Sequence, residues 1–309
     1  MSSDLVFLDV TVVDRTGQPV VSGLTKDDFT IMENGKPQRI FSFDAPGPGG
    51  ATSGAPQPVT GPDAAPAHVA QTGEVAPATI LVLDLMNTPS KDSAYARDSI
   101  RRYLALQPER LPSLTELMVL NNTALNLVQP YTHNRNELVR ALNHVPPETP
   151  YKLGSMQGGN QDWFDQSLAQ SIEALQQIAL QNRGQAGRKN ILWVGYGGPS
   201  IPVDPGNPLW DKDMRFYVRG TTNMLVDARI SLFLIRPEAL GSLTSNPDHA
   251  NLSKIEGSLA QKGTNEDPFA GTVNFGLFIN GTGGRFFSER NDIDRAIAEA
   301  QELGSKYCS

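Results

Sequence analysis

Asp84 closes the apolar run Thr79–Leu83 and stands just ahead of Ser90–Leu106, a stretch with helical periodicity. A carboxylate in that place can accept hydrogen bonds from the open N–H groups at a helix start, so capping is its simplest chemistry. Gly195, Gly197 and Gly198 follow a second apolar run, Asn190–Val194. Their N–H groups can form a nest for an anion, and a tight turn leaving a strand uses the same residues. Tyr196, Trp210, Phe216 and Tyr217 flank the proline-rich stretch Pro199–Pro208 and suit either a binding patch or anchors for that loop. His68, His133, His144 and His249 have no metal-ligand spacing. The sequence holds no Gly-x-Ser-x-Gly elbow, phosphate loop or His-Glu-x-x-His helix. Without a recognisable nucleophile–base pair, the expectation is a non-enzyme.

The elements that position these residues follow from periodicity. Thr79–Asp84 and Asn190–Val194 are continuous apolar runs, as strands buried on both faces must be. Leu114–Leu120 and Leu125–Pro130 read as two more strands joined by a hairpin through Asn121-Asn122-Thr123, and Ile230–Ile235 and Gly283–Phe287 as the last two. Helices are expected at Ser90–Leu106, Arg135–Asn143, Trp163–Gln181, Thr221–Arg229 and Asp292–Leu303, with a short one at 251–262. Strands alternating with helices predict an α/β fold: a doubly wound, mostly parallel open sheet with one antiparallel edge strand.

Ahead of this lies a small N-terminal β module, residues 1–44. Val6, Leu8, Val10 and Val12 alternate with their neighbours, Thr25 and Asp28 suit a short capped helical turn, and Asn34-Gly35 suits a tight hairpin. Residues 45–77 are rich in Pro, Gly and Ala and read as a linker that cannot bury enough apolar surface to offset its ordering entropy. The α/β part occupies 78–309.

The 309 residues are 39% hydrophobic and 19% charged, a globular composition. A net charge of −7 argues against nucleic acid as a partner, because phosphate recognition needs a basic face. The single cysteine, Cys308, excludes an intrachain disulfide and a cysteine zinc cluster. No apolar run reaches the length of a transmembrane segment, and Met1-Ser2-Ser3-Asp4 lacks the features of a signal peptide.

Several segments in order carry a family resemblance. These are Leu24–Gln38, Asp84–Pro89, Gln129-Pro130-Tyr131-Thr132, Arg188–Val194, and Thr282–Phe287 followed by Asn291-Asp292-Ile293. Together they resemble von Willebrand factor type A (VWA) domains, and most nearly the VWFA-related acidobacterial-type subfamily. The resemblance implies a Rossmann-like sheet, protein recognition of the cell-adhesion type, and a bacterial protein that is secreted, periplasmic or displayed at the cell surface. Such chains usually run on past the position of Ser305–Ser309, which implies a piece of a longer protein.

VWA domains often hold a divalent cation, and the resemblance places its ligands. Asp84 falls on the first aspartate of the metal-ion-dependent adhesion motif and Thr88 on its second hydroxyl position. Met86 falls on the first hydroxyl position, and a thioether is a poor ligand for Mg²⁺. Asn87 is one position out of register. The third loop, Gly195-Tyr196-Gly197-Gly198, lacks an acid, with Asp204 the nearest downstream. The second loop offers only Ser155, with Thr149 before it. The expectation is a degenerate adhesion site that holds Mg²⁺ or another divalent cation weakly, if at all, through Asp84 and Thr88. A protein partner would meet Asp84, Asn87, Thr88, Tyr196, Gly197 and Gly198 at the crest of the sheet. Two other readings remain open at this point: a structural scaffold without a working crest, and a cation-dependent hydrolase.

Overall fold

The computed structural model describes residues 23–33, 35–40, 77–146, 161–198, 201–202, 208–237, 272–273, 275–288 and 290–305, with five single positions before residue 44. The expected strand at Val6–Val13 apart from Val10 and Val12, nearly all of the linker at 45–77, the short helix at 251–262, and Thr149, Ser155 and Asp204 lie outside the described residues, as does the side chain of Trp210. The chain divides into two compact units, Met1–Val75 with Ser305–Ser309, and Ala76–Gly304.

In the first unit, a single 3-10 turn at Lys26–Asp28 follows Thr25. The Thr25 N–H and hydroxyl both donate to the Asp28 carboxylate, at 2.7 and 2.8 Å. Thr25 and Asp28 form the capping box that the sequence pattern suggests, the Asp28 carboxylate reaching back to the Thr25 N–H. Strands β1 (Ile31–Glu33) and β2 (Lys36–Gln38) pair antiparallel. Gly35 turns between them at φ +76°, a backbone conformation open to glycine.

The second unit is a doubly wound α/β sheet. Its strands are β3 (Ala78–Asp84), β4 (Arg110–Leu120), β5 (Leu125–Asn134), β6 (Lys189–Val194), β8 (Ile230–Ile235) and β10 (Phe286–Phe287). Between them run α1 (Ser90–Leu106), α2 (Arg135–His144), α3 (Gln161–Asn182), α4 (Pro208–Asp227), α5 (Gly276–Gly281) and α6 (Ile293–Ser305). Strands β7 (Ile201–Pro202) and β9 (Thr272–Val273) pair separately as a short antiparallel ribbon. The main sheet has the order β10-β8-β6-β3-β4-β5, parallel throughout except for the antiparallel edge strand β5.

Its register explains why β3 is apolar without interruption. Ile80 and Val82 face α3, α4 and α5, whereas Leu81 and Leu83 face α1, α2 and α6, and all four are fully buried. A buried aliphatic side chain of this size contributes roughly 1.5–3 kcal/mol. The chain leaves β3 through α1 to reach β4 on one side, and leaves β6 through α4 to reach β8 on the other. The order reverses between β3 and β6, and their carboxyl ends frame a crevice there.

Several elements depart from the sequence expectation. Helix α4 begins at Pro208 and not at Thr221, because proline, which lacks an N–H, is tolerated in the first turn of a helix. Strands β4 and β5 extend past Leu114 and Pro130, to Arg110 and Asn134, and absorb their prolines through register shifts between Arg110 and Met118. Helix α5, bounded by Gly276 and Gly281, has no counterpart in the periodicity.

Two buried polar groups hold the lower part of the sheet. The Lys189 ammonium donates to the carbonyls of Gln185 (2.6 Å), Ala228 (3.2 Å) and Asn182 (3.4 Å), so one cation serves the C-terminal ends of both α3 and α4. Glu116 on β4 meets the Tyr131 hydroxyl, which itself donates to Asn182 Oδ1 at 2.8 Å. Burial pushes the Glu116 carboxyl up to about 7, and the Tyr131 contact opposes the rise only partly. Because the folded value lies above the ordinary 4.5, the stabilisation is complete below pH 4.5 and is lost as pH rises through about 7. Up to about 3 kcal/mol is at stake. Melting curves of wild type and Glu116→Gln between pH 5 and 8 test this: the wild type should lose stability relative to the variant as pH rises, and parallel profiles would refute it.

Candidate functional site

At the crevice, Asp84 is fully buried and its carboxylate is ringed by N–H groups. Oδ1 accepts from the Asn87 backbone N–H at 2.9 Å and from Asn87 Nδ2 at 3.1 Å. Oδ2 accepts from Asn87 Nδ2 at 3.0 Å, Trp193 Nε1 at 3.1 Å and Gly197 N at 3.0 Å. Burial pushes this carboxyl above the usual range, and the donors from Asn87, Trp193 and Gly197 pull in the opposite direction.

The network extends to α3. Asn87 Nδ2 donates to Ser171 Oγ at 3.1 Å, Asn87 Oδ1 accepts from the Ser167 hydroxyl, and Ser171 Oγ donates to the Ser167 carbonyl at 3.0 Å. Through Asn87, one side-chain amide links the β3–α1 loop to α3. Through Asp84, the same loop is linked to β6 and to the turn that follows it.

That turn approaches closely enough to require glycine. Gly195 has φ +154°, and a Cβ there would lie 2.4 Å from Asp84 Cβ and 2.7 Å from Thr88 Oγ1. The Gly195 N–H donates to the Ile235 carbonyl and the Tyr196 N–H to Thr88 Oγ1, at 3.0 and 3.1 Å. The Tyr196 hydroxyl donates to Asp92 Oδ2 at 2.8 Å, while the Arg236 guanidinium sits 4.0 Å from the ring centroid. Burial and the neighbouring Asp92 raise the Tyr196 hydroxyl, so the ring remains a neutral phenol.

The expected site residues are thus brought together, but they do not form an outer face. Asp84 and Thr88 are fully buried and Asn87 and Gly197 nearly so, leaving Tyr196 and Gly198 partly exposed. These two and the exposed hairpin tip at Thr123 and Ala124 above β4 are part of the described surface of the crest. Nor does Asp84 cap α1: that helix begins at Ser90 after Pro89 and has no side-chain cap. The carboxylate binds the N–H groups of the loop and of β6 instead.

A divalent cation at Asp84 and Thr88 does not fit these residues. Mg²⁺ or Ca²⁺ needs converging oxygen lone pairs, and the Asp84 carboxylate is faced by the positive ends of N–H bonds. Thr88 Oγ1 is already an acceptor for Tyr196, and the Met86 side chain is buried in the core beneath α3. Among the described residues, no group of three His, Cys, Asp or Glu side chains is placed to hold a metal.

Sequence reasoning missed Trp193, Ser167 and Ser171 as members of the site. The signals were present. An indole N–H in a fully buried strand needs an acceptor, and serines four apart beside Leu168 and Ile172 face inward on α3.

No family model matches this sequence, and no curated protein is similar to it. Solved structures are similar in fold. The SpRpn10 VWA domain is 12% identical, with a TM-score of 0.38 over 75% of this chain and 98% of that one. Proximal thread matrix protein 1 from the mussel byssus is 7% identical, with a TM-score of 0.39 over 75% of this chain and 48% of that one. A single-substitution mutant of the PilB minor pilin from Streptococcus sanguinis is 10% identical, with a TM-score of 0.41 over 76% of this chain and 62% of that one. This chain spans less than two thirds of the latter two.

Proposed function

We propose that this α/β unit is a non-catalytic protein-recognition module of the VWA type, acting through the crest of its sheet. The observation that supports this reading is the crest itself. It stands at the strand-order reversal, its buried Asp84 carboxylate is engaged by N–H groups, and it holds Tyr196 in one orientation between Asp92 and Arg236. A pre-ordered aromatic at a crevice favours binding, because little side-chain entropy remains to be lost on contact. A carboxylate enclosed in this way cannot reach a substrate, which argues against the cation-dependent hydrolase. Secretion or surface display rests on the sequence resemblance alone. Among the described residues, no helix is long and apolar enough to cross a membrane.

The buried positions of Asp84, Asn87, Thr88 and Gly197 give the scaffold reading its support, and one experiment separates the two. A photo-crosslinking phenylalanine derivative is placed at Thr123 on the crest or at Leu106, which is 77% exposed at the far end of α1. Recognition predicts protein adducts from the crest position and none from Leu106. Equal labelling at both positions, or labelling at Leu106 alone, would overturn it. Ester, phosphate and peptide substrates should remain at background turnover with and without Mg²⁺ or Mn²⁺.

A further inference from the structure

We propose that the Asn87 carboxamide does in this protein the joining that a divalent cation does in the family it resembles, so that the crest is assembled without metal. The inference stands independently of what the crest binds.

A cation in such a crevice gathers oxygen ligands from separate loops and offsets the charge of the acid among them. Here one amide group does both. Its Nδ2 hydrogens contact both oxygens of Asp84 and reach Ser171 Oγ, and its Oδ1 takes the Ser167 hydroxyl. The β3–α1 loop and α3 are joined at that single group, and the backbone N–H of the same residue adds a further contact to Asp84. The Trp193 indole and the Gly197 N–H supply the remaining partial positive charge. The donor and acceptor ends of the amide are not interchangeable. Turning it over would set its oxygen against a carboxylate and take both Nδ2 contacts from Asp84, so the surroundings fix the orientation. Met86, where a hydroxyl ligand would be needed, is instead 4% exposed and packed in the core with Ile80, Val82 and Leu168. Among the described residues, N–H groups surround Asp84 where oxygen ligands would be needed.

The test is an isosteric substitution. Asn87→Asp keeps size and shape but replaces the NH₂ by an oxygen, setting two carboxylates face to face. With chelator present, its melting temperature should fall by at least about 6 °C. Millimolar Mn²⁺ should restore much of that loss, since a cation is what two adjacent carboxylates require. The wild type should shift by less than about 1 °C with either Mn²⁺ or chelator, and calorimetry should show no Mn²⁺ binding tighter than roughly 1 mM. Mn²⁺ binding by the wild type below that limit overturns the proposal, as does an Asn87→Asp protein that melts like wild type in chelator. Should Asn87→Asp be insoluble, the wild-type titration alone decides, and Asn87→Ala, which removes the bridge without adding charge, should melt lower and ignore Mn²⁺.

Discussion

Asp84→Ala should lower the stability of the α/β unit by about 3–5 kcal/mol, one of the two largest losses expected from a single substitution here. The carboxylate accepts from Asn87, Trp193 and Gly197 in a fully buried setting, so removing it leaves several donors without an acceptor. Each orphaned buried donor costs about 1–3 kcal/mol. For a unit of this size the melting temperature should fall by roughly 6–20 °C. Calorimetry or circular dichroism checks this, and a fall under about 2 °C would show that the network contributes little. Losing partner binding in Asp84→Ala therefore says little about contact, because the variant disturbs the crest from below. Probes placed at Thr123 avoid that ambiguity.

Gly284→Ala is the second. A Cβ at Gly284 would lie 1.7 Å from the carbonyl oxygen of Leu232 and 2.5 Å from its carbonyl carbon. Those are backbone atoms of β8, an inner strand, and they cannot turn aside as a side-chain tip can. Separating the approach to β10 from β8 should cost more than about 3 kcal/mol or prevent soluble expression. Gly283→Ala is the matched control: its φ of +70° is strained for alanine, but nothing lies within 4 Å. It should cost only about 1 kcal/mol. Urea midpoints compare the two directly, and similar midpoints would show that β10 moves freely with respect to β8.

Much of the sheet was legible in the sequence for one reason. A strand buried on both faces has to be apolar throughout, so β3, β6 and β8 announce themselves through Ile80–Leu83, Ile191–Val194 and Ile230–Ile235. The meeting of Asp84 with the Tyr196 turn was legible too, because both follow the carboxyl ends of adjacent parallel strands. What the acid does there was not. Whether a carboxylate ligates a cation, caps a helix or receives N–H groups depends on which donors the fold brings within 3 Å. Two of them, Trp193 and Gly197, are more than a hundred positions away in the chain. The start of α4 was hidden for a different reason: proline marks both loops and first helical turns, and local pattern does not separate the two at Pro208.

The borders of the main sheet also limit how that sheet can meet other strands. On one side β10 offers only Phe286 and Phe287, too short a template for another chain to lengthen. On the other, β5 carries Pro130, which has no N–H to give a newcomer, and a bulged pairing with β4 that bends its course. Both rims resist zipping onto a foreign strand or onto a copy of themselves. At these two borders of the main sheet, association is thereby steered away from backbone ladders, toward side chains presented end-on, where selectivity between companions is easier to encode.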